Sequence, residues 1–209
     1  MSDICPTVTA YDLDIYRKQL TQISFAKRIH IDLMDGEFAT TKSPGLGDIW
    51  LPHDQIVDIH LMYQRPMEYL EQLIKLRPHM VVIHNEADVH HMHFAAELHK
   101  HDIETGLALL QDTPVEHAEQ IMHSFDHVLV FSGHLGHHGG VADLGLLEKV
   151  KQIRAHHPEA EIGWDGGITD QNAKQLVDAG VDVLNVGGFI QKSDQPQEAY
   201  DKLLTVIGA

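Results

Sequence analysis

The sequence predicts a (β/α)₈ barrel. Three observations predict it: eight short runs rich in Val, Ile and Leu, longer amphipathic stretches between them, and a length of 209 residues that suits eight such units with few insertions. Strands that alternate with helices build parallel sheets, and eight units in a chain of this length close most naturally on themselves. The rival is a doubly wound open sheet. It usually carries a glycine-rich turn after its first strand, where this chain reads TVTAYDLD. Residues 1–209 are therefore expected to form one domain.

In chain order the strand runs are DICPTVT, KRIHIDLM, IVDIHLM, HMVVIH, IETGLAL, DHVLVF, AEIGWD and VDVLNVG. Their short length and β-branched content fit strands buried on both faces. Helical patterns cover Leu13 to Ile23, Pro66 to Leu76, His90 to Lys100, Pro114 to His123, Leu144 to His157, Thr169 to Ala179 and Pro196 to Ile207. Pro66, Pro114 and Pro196 stand where a first helical turn accepts proline, Thr169 with Asn172 marks a start, and Gly180 marks a stop. The crossover from Glu37 to Gln55 differs. It carries Gly, Pro, Thr and Ser with little periodicity, so it reads as a long loop with at most a short helix.

Hydrophobic residues make up 43% of the chain and charged residues 22%, enough for one sizeable core and no case for disorder. A formal charge of −16 and the absence of clustered lysines or arginines argue against nucleic-acid and acidic-membrane partners. Cys5 stands alone, so no intramolecular disulfide is expected. No signal-like N-terminus or long apolar stretch is seen, which makes cytoplasm the expected compartment. Eighteen histidines are the abnormal count, and they direct attention to metal or proton chemistry.

In such a barrel the reactive groups lie at the C-terminal ends of the strands, where the βα-loops surround a ligand. Strand two is expected to end His30-Ile31-Asp32, and the two-residue period of a strand points His30 and Asp32 to one side. Strand three is expected to end at His60 and strand seven at Asp165. Two imidazoles and two carboxylates at one mouth make a site for zinc, iron(II), manganese or cobalt. The alternative for any one of them is a polar strand end meeting solvent.

HIDLMDG at His30 to Gly36, DIHLM at Asp58 to Met62, VIHNEA at Val82 to Ala87, WDGGI at Trp164 to Ile168 and VGG at Val186 to Gly188 resemble the signature segments of ribulose-phosphate 3-epimerases, in order along nearly the whole chain. The resemblance implies a TIM barrel of the ribulose-phosphate-binding type. It implies one divalent metal held by His30, Asp32, His60 and Asp165, with Asp32 and Asp165 also serving as the catalytic acid–base pair. The implied reaction inverts the carbon next to the carbonyl of a ketose phosphate, ribulose 5-phosphate to xylulose 5-phosphate. Chemistry suits the assignment: one face of the carbon must lose a proton and the other must receive one, so a base and an acid face each other. A divalent cation would stabilise the charge of the enediolate left behind. Thr7 stands where the family has serine, Met34 and Met62 where it lines its pocket with thioethers, and His60 beside them. Ordinary core packing remains the other reading of the two methionines.

The chain departs from the family most in the loop after the sixth strand. Here stands Ser132-Gly133-His134-Leu135-Gly136-His137-His138-Gly139-Gly140, and Phe131 replaces a third pocket methionine. His134, His137 and His138 are open to three readings: phosphate donors, a second metal site, or polar residues of an exposed loop. Gly136, Gly139 and Gly140, with Gly166-Gly167 and Gly187-Gly188, remain candidates for a phosphate cradle because glycine lets backbone approach an anion closely. His84 is expected near the metal as a hydrogen-bonding group rather than a ligand, and His90, His91, His93, His156 and His157 are expected to be solvated.

Other substrates stay open, namely a hexulose 6-phosphate or an unphosphorylated ketose. Two further classes compete: a carbon–carbon lyase or decarboxylase on a related phosphate-binding barrel, and a barrel that binds sugar without turning it over. The former families carry Asp-x-Lys-x-x-Asp on an early strand, whereas Asp32 here is followed by Leu33 and Met34. A small-molecule sugar is the expected partner. Homo-oligomer formation is left open, since nothing in the sequence identifies an interface.

Overall fold

A computed structural model describes residues 2–137 and 139–209 of the chain. Eight parallel strands form a closed barrel in sequence order: β1 (Asp3–Thr9), β2 (Arg28–Met34), β3 (Ile56–Met62), β4 (Met80–His84), β5 (Glu104–Leu109), β6 (His127–Phe131), β7 (Glu161–Asp165) and β8 (Val183–Val186). The ring closes where β8 pairs with β1, Asp3 opposite Val183 through Pro6 opposite Val186. All eight lie within the runs expected from the sequence. β2 and β3 continue to Met34 and Met62, beyond the ligand-type residues His30, Asp32 and His60.

Outside the barrel lie α1 (Leu13–Gln22), α2 (Leu70–Leu76), α3 (His91–His99), α4 (Glu119–Met122), α5 (Leu147–His156), α6 (Ala173–Asp178), α7 (Gly188–Gln191) and α8 (Pro196–Ile207). The Asp12 side chain caps α1 by accepting from the Ile15 N–H at 2.7 Å, and Gly208, at φ 78°, closes α8 in the left-handed region. Three helices are shorter than their patterns because they open in 3₁₀ turns, at Pro66–Tyr69, Val115–His117 and Leu144–Leu146. The Thr169 pattern starts later still, at Ala173, because the Asn172 side chain takes the Thr169 N–H at 2.8 Å and holds a turn there. α7 has no counterpart in the expected pattern; four residues are too few to show a helical period. No helix among the described residues is long and apolar enough to cross a membrane.

The Glu37–Gln55 crossover has no helix, as expected. It is pinned instead: Asp35 Oδ1 accepts from the Glu37 and Phe38 N–H groups at 2.7 and 2.8 Å, and the Tyr16 hydroxyl donates to the Trp50 carbonyl at 2.6 Å. Two of the histidines expected to be solvated are not. His91 Nε2 lies 3.1 Å from the His84 carbonyl and His157 Nε2 3.0 Å from that of Phe125, so each half-buried ring satisfies a backbone acceptor.

Apolar side chains fill the layer between barrel and helices, while the barrel interior has its own small packing of Met80, Val82, Ala108 and Leu129. Gly106 makes that interior fit, since a Cβ there would stand 2.7 Å from Val82 Cγ2. Beneath it the N-terminal end is stoppered by ions. Arg28 donates to Asp58 at 2.7 Å and to both Glu161 oxygens at 2.8 Å, and His127 and His79 complete the cluster at 2.8 and 3.0 Å. The burial of Glu161 opposes its ionisation, but hydrogen bonds from Arg28 and His127 outweigh it and hold the carboxyl well below the usual range.

Candidate active site

The strand register brings the ligand types together. Thr7 pairs with His30 and Thr9 with Asp32 across β1 and β2, and Asp32 pairs with His60 across β2 and β3. Asp165 arrives from β7, opposite Phe131 on one side and Asn185 on the other. One ligand atom from each of His30, Asp32, His60 and Asp165 lies within 4.8 Å of the others, and all four residues are buried. Among the described residues this is the one group of three or more His, Cys, Asp or Glu with that geometry.

His60 Nδ1 stands 3.1 Å from Asp32 Oδ1 and 3.6 Å from Asp165 Oδ2, while His30 Nε2 stands 3.4 and 3.9 Å from the same two oxygens. His30 Nε2 is buried without a hydrogen-bond partner. Two nitrogens and two carboxylate oxygens converging with one nitrogen orphaned fit a first-row divalent cation, a donor set that zinc, iron(II), manganese and cobalt all accept. The Thr9 hydroxyl donates to Asp32 Oδ2 at 2.5 Å, which leaves Oδ1 to face the imidazoles.

Burial pushes the Asp32 carboxyl up, but the two imidazoles that face it, His30 at 3.4 Å and His60 at 3.1 Å, prevail and keep it ionised, well below its ordinary value. The two aspartates do the reverse for His60. Burial lowers it, yet hydrogen bonds from Asp165 and Asp32 raise it to about 9. The far side of the His60 ring meets His84, Nε2 to Nε2 at 2.8 Å. His84 is itself pushed down to about 4, chiefly by burial, so it is neutral and accepts from the His60 Nε2–H. Its remaining nitrogen is 3.5 Å from Glu86 Oε2, an electrostatic contact at the outer limit of a hydrogen bond. Glu86 Oε1 is fixed by the Thr113 hydroxyl and by the Leu110 N–H at 3.1 Å. Lys149 anchors that loop, reaching the Leu110 and Thr113 carbonyls at 2.6 Å each.

Above the cluster opens a cavity of about 300 Å³. Asp32 and Asp165 are at its base, and Thr7, Met62, Gly136, Gly139, Gly140, Gly166, Gly167, Gly187 and Gly188 all line it. His60 lies beneath, fully buried, with the Phe131 ring 5.7 Å away. Met34 sits behind the wall with Ala39 and Met62, its sulfur 3.1 Å from the Thr41 hydroxyl. His84 stays outside the ligand cluster. His134 and His137 are exposed and stand at the mouth; His138 lies outside the described residues.

Two glycines are required by packing as well as by conformation. Gly166, at φ +111°, would place a Cβ 2.3 Å from the Gly133 nitrogen, and Gly167, at φ +70°, would place one 2.0 Å from the Ala142 nitrogen. Backbone of the loop after β6 therefore rests directly on that after β7. Several lining groups escape sequence reasoning. Thr9 lies two residues beyond Thr7 on the same strand face, which could have revealed it. Asn185 is a polar residue inside an apolar strand, its buried Oδ1 without a partner. Lys192 follows α7 and belongs to no pattern.

Comparison with known proteins agrees with this geometry. The profile of the ribulose-phosphate 3 epimerase family matches residues 3–191. Ribulose-phosphate 3-epimerase of Helicobacter pylori is 31% identical over 212 residues, covering 97% of each chain, and that of Bacillus subtilis is 26% identical, covering 97% of this chain and 98% of that one. Among solved structures, 3-hexulose-6-phosphate synthase from Salmonella typhimurium superposes with a TM-score of 0.72 at 15% identity, covering 99% of this chain and 98% of that one. KGPDC from Streptococcus mutans superposes at 0.74 with 12% identity, covering 100% and 98%. The structural neighbours share the fold; the sequence matches go further, and by them the chain belongs to the ribulose-phosphate 3-epimerase family of isomerases.

Proposed function

We propose that the chain inverts C3 of a ketose phosphate, ribulose 5-phosphate to xylulose 5-phosphate, with Asp32 and Asp165 as the two proton-transfer groups. The observation that carries this reading is the placement of both carboxylates at the base of one cavity, delivered by strands on different arcs of the barrel. One carboxylate removes the C3 proton and the other returns a proton to the opposite face, each transfer contributing roughly 10²–10⁴-fold. Asp32 is ionised and held by Thr9, which suits it to begin as base in one direction; in the other direction the roles exchange. His30, Asp32, His60 and Asp165 would hold the cation, which supplies Lewis-acid stabilisation of the charge that develops on the substrate oxygens, worth several kcal/mol. Met62 and Phe131 line the cavity and limit water around the reacting carbon.

The lyase and decarboxylase reading has less support. Its lysine would stand at position 34, where a buried methionine packs instead. A hexulose 6-phosphate remains the runner-up substrate, since the cavity's glycine loops would accept either phosphate. The test is proton exchange in D₂O followed by NMR, with ribulose 5-phosphate, a hexulose 6-phosphate and the free ketoses. Wild-type protein should exchange the C3 proton, chelation should stop it and a divalent ion should restore it. Asp32→Asn and Asp165→Asn should fold normally and exchange nothing; wild-type-like exchange in both variants would remove these residues from the mechanism.

A further inference from the structure

The cavity separates charge along its depth. Its base holds the two carboxylates, and its outer part is built from glycine loops. Lys192 is the one lysine or arginine side chain among the described residues that line it. The lysine comes from just beyond α7, on the chain that leaves β8, and its side chain passes over two glycines. Its Cε lies 4.0 Å from where a Cβ of Gly188 would stand, and its Nζ lies 3.5 Å from where a Cβ of Gly139 would stand. The stem therefore runs over one glycine loop and the ammonium ends over another. A Cβ at position 139 would meet the ammonium at ordinary contact distance.

The chain carries a net charge of −16, so an anionic ligand approaching the mouth needs a local source of positive potential. Backbone N–H groups of glycine loops supply partial charges, and a lysine supplies a full one on a flexible stem, a common arrangement around phosphate. No Asp or Glu other than Asp32 and Asp165 lines the cavity to neutralise it.

We propose that Lys192 is the phosphate counter-ion of this cavity and makes the protein select phosphorylated over unphosphorylated ketoses. The inference rests on the epimerase reading above and deepens it: the carbon chain reaches the aspartates while the phosphate lies between the loops after β6 and β8. Losing one partly exposed charge-assisted contact to a phosphate should cost about tenfold in affinity, more at low ionic strength.

Lys192→Met and Lys192→Arg test it, with proton exchange and epimerisation kinetics on ribulose 5-phosphate and free ribulose, and with inorganic phosphate as competing ligand and as calorimetric probe. Lys192→Met should raise KM for the phosphorylated sugar about tenfold with a much smaller change in kcat. The preference for phosphorylated over free sugar should fall about tenfold, inorganic phosphate should bind more weakly in proportion, and Lys192→Arg should recover part of each loss. Unchanged KM and unchanged phosphate binding in Lys192→Met overturn the assignment, as does a wild type with no preference for the phosphorylated sugar. If the wild type exchanges no ketose proton at all, the epimerase reading fails by itself. The calorimetric comparison of wild type and Lys192→Met with phosphate still decides the role of the lysine.

Discussion

Replacing His84 with phenylalanine isolates the part of the site that lies behind His60. His84 is fully buried, its ring centroid 4.9 Å from that of His60, 4.8 Å from Phe38 and 5.7 Å from Phe131. Another flat ring fills this aromatic slot with little change in packing. What disappears is the acceptor 2.8 Å from His60 Nε2. That N–H then stays buried and unpaired, at about 1–3 kcal/mol. A cation on His60 Nδ1 draws on the same orientation and tautomer, and loss of such outer partners commonly weakens metal binding by about 10- to 100-fold. At about 1.4 kcal/mol per tenfold, the two figures agree. The assay is calorimetric titration of manganese or zinc into the metal-free proteins, with thermal unfolding of each as the control for folding. Metal affinity within threefold of wild type, in a variant that still unfolds cooperatively, would refute the positioning role.

Three further outcomes follow from contacts described above. Thr9→Val keeps the shape of the side chain but removes the bond to Asp32 Oδ2, and kcat/KM should fall about tenfold with the melting temperature nearly unchanged. Gly167→Ala forces a Cβ into the Ala142 backbone at a positive φ, so the loops after β6 and β7 must separate; KM should rise more than kcat falls, and unfolding should show a loss of at least about 1 kcal/mol. Glu161→Gln tests the ion cluster at the barrel's other end. Because the folded carboxyl titrates below its unfolded value, its contribution is full above about pH 4.3 and is lost as the pH falls toward the folded value. The stability gap between wild type and Glu161→Gln should therefore be widest above about pH 5 and narrow in acid, as read by denaturant unfolding across pH.

The strands were legible because their signal is local. An apolar run of six or seven residues announces itself, and alternation along β2 is enough to place His30 and Asp32 on one side. Asp165 was legible as a strand end and His60 as a ligand type on β3, although β3 runs on to Met62, and register then did what sequence cannot display, setting Asp32 beside His60. The His60–His84–Glu86 chain was only half visible. His84 could be placed near the site, but its link through Glu86 to Thr113 and Lys149 crosses β4, β5 and α5, and no spacing encodes it. Helix starts were misread where a side chain or proline favours a tighter turn than the period implies. Lys192 was invisible for a different reason: a lysine there is ordinarily solvated, and this exposed one borders the cavity only because the fold brings Gly139 and Gly188 beneath it. Of the three readings open for His134 and His137, the structure shows both exposed and both at the mouth.

The salt-bridged stopper at Arg28, Asp58 and Glu161 closes the N-terminal end of the barrel, and among the described residues Asp32 and Asp165 are reached from the cavity at the other end. In the proposed reaction sugar, product and solvent would all pass through that glycine-framed opening, in turn. A proton held on a carboxylate in that reaction would trade with bulk water only while the opening is clear, so the fraction of label kept through one turnover would serve as a clock for how long the sugar stays seated.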